Sequence, residues 1–258
     1  MRVLMCGNAK GGAGKTTAAV HLAAGLASNG RRVLLVDLDT QGHASLWLAG
    51  RDARQGPGLA DALDAGELAL ELVRDVDGRP GLSLLPGGPA LAPAELALAR
   101  NPEGLLALRR LLAPHGRRWD VAVLDTPPHV GGVLTLAALV AADAVLGPFV
   151  PGFLALDGLG QLEERLAAAR ELGSRARLLG YLAVAVDGRE GISAESLDLV
   201  KRQAPGKLLR NVVRVSTAQK ALQGRRALAW DSGEDERGAE DWRRVLAEVE
   251  ARLEDRPR

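Results

Sequence analysis

A glycine-rich run near the start of the chain constrains its fold more than any other feature. Residues 10–17 read KGGAGKTT and directly follow the apolar residues 3–6. An apolar strand that enters a glycine-rich turn and then a helix is typical of a phosphate-binding loop. The strict pattern has a glycine five positions before Gly14, where this chain has Ala9, and Lys10 stands at the loop entrance instead. We interpret this run as a variant phosphate-binding loop.

Phosphate chemistry predicts a task for each residue of this loop. Glycines adopt backbone angles that are closed to other residues, so successive N–H groups can turn towards the phosphates of a nucleoside triphosphate. The helix that follows adds the positive end of its dipole. Lys15 is predicted to reach the β- and γ-phosphates, and the Thr16 hydroxyl is placed to hold Mg²⁺. The predicted nucleotide-binding residues of the loop are Gly11, Gly12, Ala13, Gly14, Lys15, Thr16 and Thr17.

The rest of the chain predicts an α/β fold with a doubly wound, mostly parallel sheet flanked by helices, because short apolar runs alternate with longer helical patterns. The predicted strands cover residues 3–6, 33–36, 82–85, 121–124, 144–150 and 178–186. The predicted helices cover residues 16–29, 58–65, 93–99, 103–112, 156–172, 194–203 and 239–254. Residues 50–79 are weakly patterned and are interpreted as surface elaboration. We expect one domain over residues 1–258, without an N-terminal helix-turn-helix domain.

Composition argues against several other classes of protein. The longest uncharged apolar stretch, residues 133–142, is too short to span a bilayer. No secretory signal precedes the first predicted strand. Cys6 is the only cysteine, which excludes an intrachain disulfide and a Cys-rich metal site. A cytoplasmic protein is therefore expected.

Two acidic residues follow the predicted strand 33–36, where a nucleotide site needs them. The carboxyl ends of strands form the ligand crevice in open α/β sheets, so Asp37 and Asp39 should face the phosphates. Asp39 is predicted to position or polarise an attacking water, and Asp37 to support the magnesium shell. The alternative is a pair of solvated loop carboxylates.

A second acidic element closes the predicted strand 121–124. Asp125 is predicted to hold Mg²⁺ through water, next to Thr16. The two residues Pro127 and Pro128 stiffen the loop that follows, which could sense whether a γ-phosphate is present. An aspartate at a strand end is common by chance, but its combination with the Lys15 loop is not.

Basic residues are concentrated in one segment, although the net charge of the chain is only +1. Residues 201–226 contain no Asp or Glu. Such a segment can attract phosphate backbones through counterion release, without base contacts. The alternative is an ordinary solvated face. The eight basic residues of this segment are Lys201, Arg202, Lys207, Arg210, Arg214, Lys220, Arg225 and Arg226.

Taken together, these motifs resemble the deviant Walker ATPases of the ParA/MinD family. The resemblance rests on KGGAGKTT at 10–17, DLDTQG at 37–42 and LDTPP at 124–128. The ParA (Soj-like) partition branch in particular is indicated by Gln41 and Gly42, and by ALDGL at 155–159, DGR at 187–189 and GAE at 238–240. The resemblance covers nearly the whole chain.

This resemblance implies a specific cycle. Lys10 would cross a dimer interface to touch the nucleotide of the second copy, and Lys10, Lys15 and Asp39 would be the catalytic residues. Thr16 and Asp125 would match the magnesium-binding positions. The family implies an ATP-dependent homodimer that binds double-stranded DNA without sequence preference. It also implies a slow ATPase that DNA and a ParB-type centromere-binding protein stimulate, at the nucleoid, in chromosome or plasmid partition.

Some residues match the family less clearly. Arg189 matches a DNA-contacting arginine, whereas a second family arginine falls within residues 216–219, where this chain has none, so Lys220 is only a substitute candidate. Asp187 is a candidate contact for the base of the nucleotide. Thr40 stands where the family usually has proline, and His43 where it usually has asparagine.

Three alternatives stay open from the sequence. A MinD-like or cargo-positioning ATPase would act on a membrane surface or a protein assembly, but the last predicted helix carries several glutamates on its polar face, which suits anionic lipid poorly. An ATP-gated DNA-binding scaffold would show negligible hydrolysis without a partner. A metabolic synthetase would need a substrate pocket, for which the sequence offers no motif.

Overall fold

A seven-stranded sheet forms the centre of the molecule. The computed structural model describes residues 1–128, 131–153, 155–216, 221–231, 233 and 235–255. The sheet has the order β3-β4-β2-β5-β1-β6-β7, and every neighbouring pair is parallel except β3 and β4. This confirms the predicted α/β fold with a mostly parallel sheet. The strands are β1 Arg2–Cys6, β2 Val33–Asp37, β3 Arg74–Asp75, β4 Leu82–Leu85, β5 Val121–Asp125, β6 Ala144–Phe149 and β7 Arg177–Ala183.

Helices cover both faces of this sheet. The helices are α1 Lys15–Ser28, α2 His43–Ala49, α3 Arg51–Gln55, α4 Leu59–Ala65, α5 Leu91–Arg100, α6 Ala107–Leu112, α7 Val133–Ala141, α8 Ala155–Glu171, α9 Gly191–Gln203 and α10 Glu236–Glu254. Three short 3₁₀ turns lie at Leu70–Leu72, Gly104–Leu106 and Ala113–His115. Within the described part of the chain, no helix combines the length and the apolar character needed to cross a bilayer.

Two hydrophobic layers hold the helices against the sheet. Successive strand residues point to opposite faces, so Val3 and Met5 join one layer while Leu4 and Cys6 join the other. The first layer packs α4 to α8 on one face of the sheet, and the second packs α1, α2 and α10 on the other. Strands buried on both faces explain why they are continuously apolar in the sequence.

Several elements differ from the prediction. The helix α7 was not predicted, because nearly all of its surface is buried and its sequence lacks the polar face that marks an amphipathic helix. The region 50–79 is more than elaboration, since it supplies α3 and the two-residue edge strand β3 in addition to α4, which the prediction of a helix over residues 58–65 anticipated. Strand β7 ends at Ala183, three residues before its predicted end. The predicted helix 103–112 is a 3₁₀ turn followed by α6.

The register of the central strands brings the acidic motifs together. Asp125 at the end of β5 lies beside Cys6 at the end of β1 and beside Asp37 at the end of β2. The glycine-rich loop leaves β1 at this same edge. The sheet therefore places the loop and both carboxylates at one carboxyl edge, as the sequence predicts.

Candidate nucleotide-binding site

Two glycines shape the loop between β1 and α1. Gly12 has φ 72° and Gly14 has φ 84°, in the left-handed region that side chains disfavour. A Cβ atom on Gly14 would also lie 2.6 Å from Cγ2 of Val184. Because Gly14 is the N-cap of α1 and offers no side-chain acceptor, the first N–H groups of that 14-residue helix stay available for an anion.

Lys15 is a buried cation inside this loop. Lys15 is only 6% exposed, and its Nζ donates a hydrogen bond to the Lys10 carbonyl oxygen at 3.0 Å. Burial lowers the pKa of Lys15, while the negative charges of Asp125 and Asp39 oppose that shift. The ammonium group is therefore held beside two carboxylates with only one protein acceptor.

Asp125 is buried with little compensation from the protein. It has no exposed surface, and among the described residues no donor lies in hydrogen-bond geometry with either carboxylate oxygen, although the Thr16 hydroxyl and the Lys15 ammonium are near enough to stabilise its charge. Burial raises the pKa of Asp125, and the neighbouring Asp37 raises it further, while the nearby Thr16 hydroxyl and Lys15 ammonium lower it. An orphaned carboxylate in such a place is costly unless a cation completes it. Carboxylate and hydroxyl oxygens are ligands that Mg²⁺ accepts, so Asp125 and Thr16 fit that ion.

This arrangement differs from an all-protein metal cage. Among the described residues, no group of three or more His, Cys, Asp or Glu side chains could hold a metal ion. Mg²⁺ usually keeps several waters and binds one or two carboxylates together with substrate phosphates. One carboxylate and one hydroxyl beside a phosphate loop match that mode.

Asp39 and Asp37 differ in what surrounds them. Asp39 lines the cavity in front of the loop, and its Oδ1 accepts the N–H of Gln41 at 2.9 Å. Asp37 is fully buried, and its carboxylate accepts hydrogen bonds from Ser45 and from the N–H of Asp39. The prediction that Asp37 supports the magnesium shell is corrected on this ground, because protein donors already engage both of its oxygens.

Two adjoining cavities lie in front of the loop. The first, of about 380 Å³, is bounded by the phosphate loop, Asp39, His43 and Pro128. The second, of about 270 Å³, continues from Gly12 and Gly14. Its apolar wall is formed by Val150, Val184, Val213 and Val215. A cavity at the phosphate loop that adjoins a cavity with an apolar wall offers room for the phosphates and for the base of a nucleotide.

Asp187 does not line either of these cavities. Its carboxylate accepts two hydrogen bonds from the Arg189 guanidinium, at 2.7 and 2.9 Å, and faces a separate cleft. Those bonds lower the pKa of Asp187 to about 2. The prediction of Asp187 as a base contact is corrected by this placement. The valine wall of the second cavity could not be found from spacing, because its members come from three separate segments.

Relatives with established names match most of the chain in sequence. An AAA domain family model matches residues 1–177. The chromosome-partitioning ATPase Soj of Thermus thermophilus is 44% identical over 190 residues, which cover 73% of this chain and 71% of that protein. The sporulation initiation inhibitor protein Soj of Bacillus subtilis is 30% identical over 253 residues, 97% of this chain and 98% of that protein. The chain belongs to the ParA/MinD family of ATPases, and within it is Soj-like.

The same fold also occurs in a biosynthetic enzyme. Cobyrinic acid a,c-diamide synthase from Mycobacterium smegmatis, solved with a bound ATP analog and magnesium, has a TM-score of 0.78 and 32% identity. The match covers 91% of this chain and 98% of that one. The fold of this chain is therefore shared with a protein of a different name that was solved with an ATP analog and magnesium.

The basic segment of this ParA-family chain is not free of carboxylates in three dimensions. Arg214 forms a bidentate pair with Asp241, at 2.5 and 2.8 Å, and Lys207 pairs with Glu163 at 2.7 Å. The carboxylates come from α10 and α8, far away in the sequence. The expectation of a carboxylate-free surface is corrected accordingly.

The other predicted DNA contacts vary in their surroundings. Lys201 lies 3.4 Å from Asp198, and Arg226 donates to the Leu48 carbonyl oxygen at 2.7 Å. Arg189 pairs with Asp187, yet its side chain is 86% exposed. Arg202, Arg210 and Arg225 are exposed. Lys220 lies outside the described residues.

Two buried polar residues near the loop carry no motif signal. Asn8 is 2% exposed, donates to the Pro148 carbonyl oxygen at 2.7 Å and accepts the N–H of Lys10 at 2.9 Å. It thereby ties the loop entrance to the end of β6. Its spacing from Lys10 was visible in the sequence, but its burial was not.

His21, one turn beyond Thr17 in α1, is the second of these residues. Its ring stacks on Trp242 at 4.4 Å and meets Trp47 and Trp230 edge-on at 5.5 Å. Nε2 accepts the N–H of Ala229, so the neutral ring carries its proton on Nδ1 and donates it to the Thr17 carbonyl oxygen. Burial lowers the pKa of His21 to about 4.

Proposed function

We propose that this chain is a dimerising partition ATPase that uses ATP and Mg²⁺, binds DNA without sequence preference and is stimulated by a ParB-type partner. The observation that carries the proposal is a buried Lys15 and a buried Asp125 with little compensation, beneath a loop whose entrance lysine, Lys10, is exposed. Membership of the Soj-like branch supports the cellular role, because its named relatives include a chromosome-partitioning ATPase. A place at the nucleoid follows from that role.

Phosphate binding is assigned to the loop and the start of α1. The N–H groups around Gly12 and Gly14 and the Lys15 ammonium would bind the β- and γ-phosphates. Thr16 and Asp125 would hold Mg²⁺, which neutralises charge that develops on the phosphate oxygens. The valine-walled cavity would take the base.

Hydrolysis is assigned to Asp39. Its carboxylate lines the phosphate cavity, and its Oδ1 already accepts the Gln41 N–H, so the second oxygen is the one left to orient a water. A carboxylate that only orients the water gives slow turnover until a partner or DNA completes the geometry of the site.

Dimerisation is assigned to Lys10. The residue is exposed, and its ammonium makes no hydrogen bond within the part of the chain that the structure describes. Its backbone is fixed, however, because the N–H is held by Asn8 and the carbonyl oxygen by Lys15. A free ammonium on a fixed backbone suits contact with the nucleotide of a second copy.

DNA binding is assigned to the exposed basic residues and not to Arg214 and Lys207, which are only half-exposed and each pair with a carboxylate. Several of the exposed residues also have partners, but a DNA phosphate can reach their solvent-facing side chains and competes there with weak surface interactions. The narrowed set consists of Arg189, Lys201, Arg202, Arg210, Arg225 and Arg226.

The test combines dimerisation with retention on DNA. With ATP and Mg²⁺, the Asp39→Ala variant should form a stable dimer that is retained on non-specific DNA and released by salt, while Lys10→Ala should bind nucleotide and stay monomeric. A parallel assay with anionic vesicles examines the MinD-like alternative. ATP-dependent pelleting with vesicles, together with no retention on DNA, would overturn the partition proposal.

A further inference from the structure

Two aspartates end neighbouring strands at the carboxyl edge of the sheet that carries the candidate nucleotide site, called the nucleotide edge below. The two carboxylates differ in their hydrogen bonds. Asp37 closes β2 and Asp125 closes β5, and the two are register partners with no exposed surface. Within the described part of the chain, neither oxygen of Asp125 has a donor in hydrogen-bond geometry. Both oxygens of Asp37 accept one or more hydrogen bonds from the protein. Asp125 therefore has free acceptor capacity for a cation, whereas Asp37 is already bonded by protein donors.

Ser45 is the main partner of Asp37. The Asp37 Oδ2 atom accepts the Ser45 N–H at 2.8 Å and the Ser45 hydroxyl at 2.7 Å. The Ser45 oxygen in turn accepts the N–H of Gly87 at 2.9 Å. Gly87 is packed so closely that a Cβ atom there would lie 2.2 Å from the Asp37 carbonyl oxygen. This buried network joins β2, the first turn of α2 and the segment after β4.

The Asp37 carboxylate also holds Asp39, the residue assigned to hydrolysis. Its Oδ1 atom accepts the N–H of Asp39 at 3.1 Å. Asp39 then closes a local turn, because its carbonyl oxygen accepts the N–H of Gly42 at 2.8 Å. Asp37 thus anchors both ends of the segment that carries Asp39 into the phosphate cavity.

We propose that Asp37 and Ser45 are positioning residues that orient Asp39 for hydrolysis. This inference rests on the proposed ATPase function. Ser45 is fully buried and does not line the cavity, so it acts only through Asp37. A small displacement of Asp39 is enough to slow hydrolysis, because orientation of the water depends on its exact place.

The experiment compares Ser45→Ala and Asp37→Asn with Asp125→Asn. We expect the first two to lower kcat roughly 10- to 100-fold with KM changed less than about threefold. The Mg²⁺ concentration that half-saturates binding of a fluorescent ATP analogue should be unchanged in both. In Asp125→Asn that half-saturation should rise strongly. The double variant Asp37→Asn/Ser45→Ala should be no slower than Asp37→Asn, since both changes break one network.

A matched control removes another buried serine hydroxyl. Ser83 on β4 is 8% exposed and bonds Asp75 and Trp119 away from the cavity, so Ser83→Ala should keep wild-type kcat. Nucleotide affinity measured on the same samples shows that each variant is folded. Wild-type kcat in Ser45→Ala, or a shifted Mg²⁺ midpoint with normal kcat in Asp37→Asn, would overturn this inference alone. A wild-type chain without any turnover would instead overturn the proposed ATPase function.

Discussion

The nucleotide edge and the basic segment are both rich in charge, but they differ in how that charge is compensated. At the nucleotide edge, Asp125 is buried with no hydrogen-bond donor among the described residues, and Lys15 is buried with one carbonyl acceptor. In the basic segment, Arg214 and Lys207 each face a carboxylate within 2.7 Å. Charge that the protein leaves uncompensated marks a place for a ligand, whereas charge that it pairs serves the fold.

The largest expected effect in this comparison is on nucleotide affinity, at Lys15. The Lys15→Ala variant should lose affinity for the ATP analogue by roughly 100-fold or more, because phosphates would face a cavity without its buried cation. Isothermal titration calorimetry measures this loss. Lys201→Ala removes an exposed, paired lysine and should bind the nucleotide normally. Equal affinities in the two variants would contradict the assignment of uncompensated charge to the ligand.

His21 represents a third case beside uncompensated and paired charge, namely a buried group that is neutral and hydrogen-bonded through both ring nitrogens. Its pKa is about 4 in the fold against 6.5 for the free side chain, so the unfolded chain takes up a proton first as the pH falls. The free energy of unfolding should therefore decrease between pH 6.5 and 4, by roughly 3 kcal/mol in total. Urea titrations across this range measure the decrease. In His21→Gln this part of the pH dependence should vanish, and its persistence would refute the origin in His21.

Arg214 tests whether paired charge serves the fold. The Asp241 side chain is only 5% exposed, so Arg214→Ala should leave it buried with the backbone N–H of residue 214 in place of the guanidinium. We expect a loss of about 2 kcal/mol in unfolding free energy, less than for a fully buried pair because the Arg214 side chain is 39% exposed. Thermal melting of Arg214→Ala and of the exposed-site control Arg202→Ala checks this. A stable Arg214→Ala protein that loses DNA retention would reverse our assignment of Arg214.

The smallest expected effect concerns Arg189. Its side chain is exposed although it pairs with Asp187, and exposed pairs contribute little, so a DNA phosphate can compete for it. Arg189→Ala should weaken DNA retention several-fold and reduce the slope of log affinity against log salt by about one. Nucleotide affinity should not change. An unaltered salt slope would remove Arg189 from the DNA-binding set.

The nucleotide site was predictable because its residues lie in short motifs attached to strand ends. Gly12, Gly14, Lys15 and Thr16 act through local backbone geometry, and Asp125 follows from the strand that it ends. The sequence did not predict α7, because a helix that is buried on nearly all sides has no periodic polar face. The sequence assigned Asp37 to the magnesium shell, and only the structure shows that Ser45 and the N–H of Asp39 bond its carboxylate instead.

The amino-acid sequence by itself determined the fold class, the phosphate loop and the family. It also placed Asp39 just after a strand and Asp125 at the end of another. Each of these depends on spacing along the chain or on alternation of apolar residues. Only the tertiary structure decided which charges are free, because the partners of Asp37, Lys207 and Arg214 come from other elements. Compensation of charge depends on distance in space, and a one-dimensional pattern of acidic and basic residues does not contain that distance.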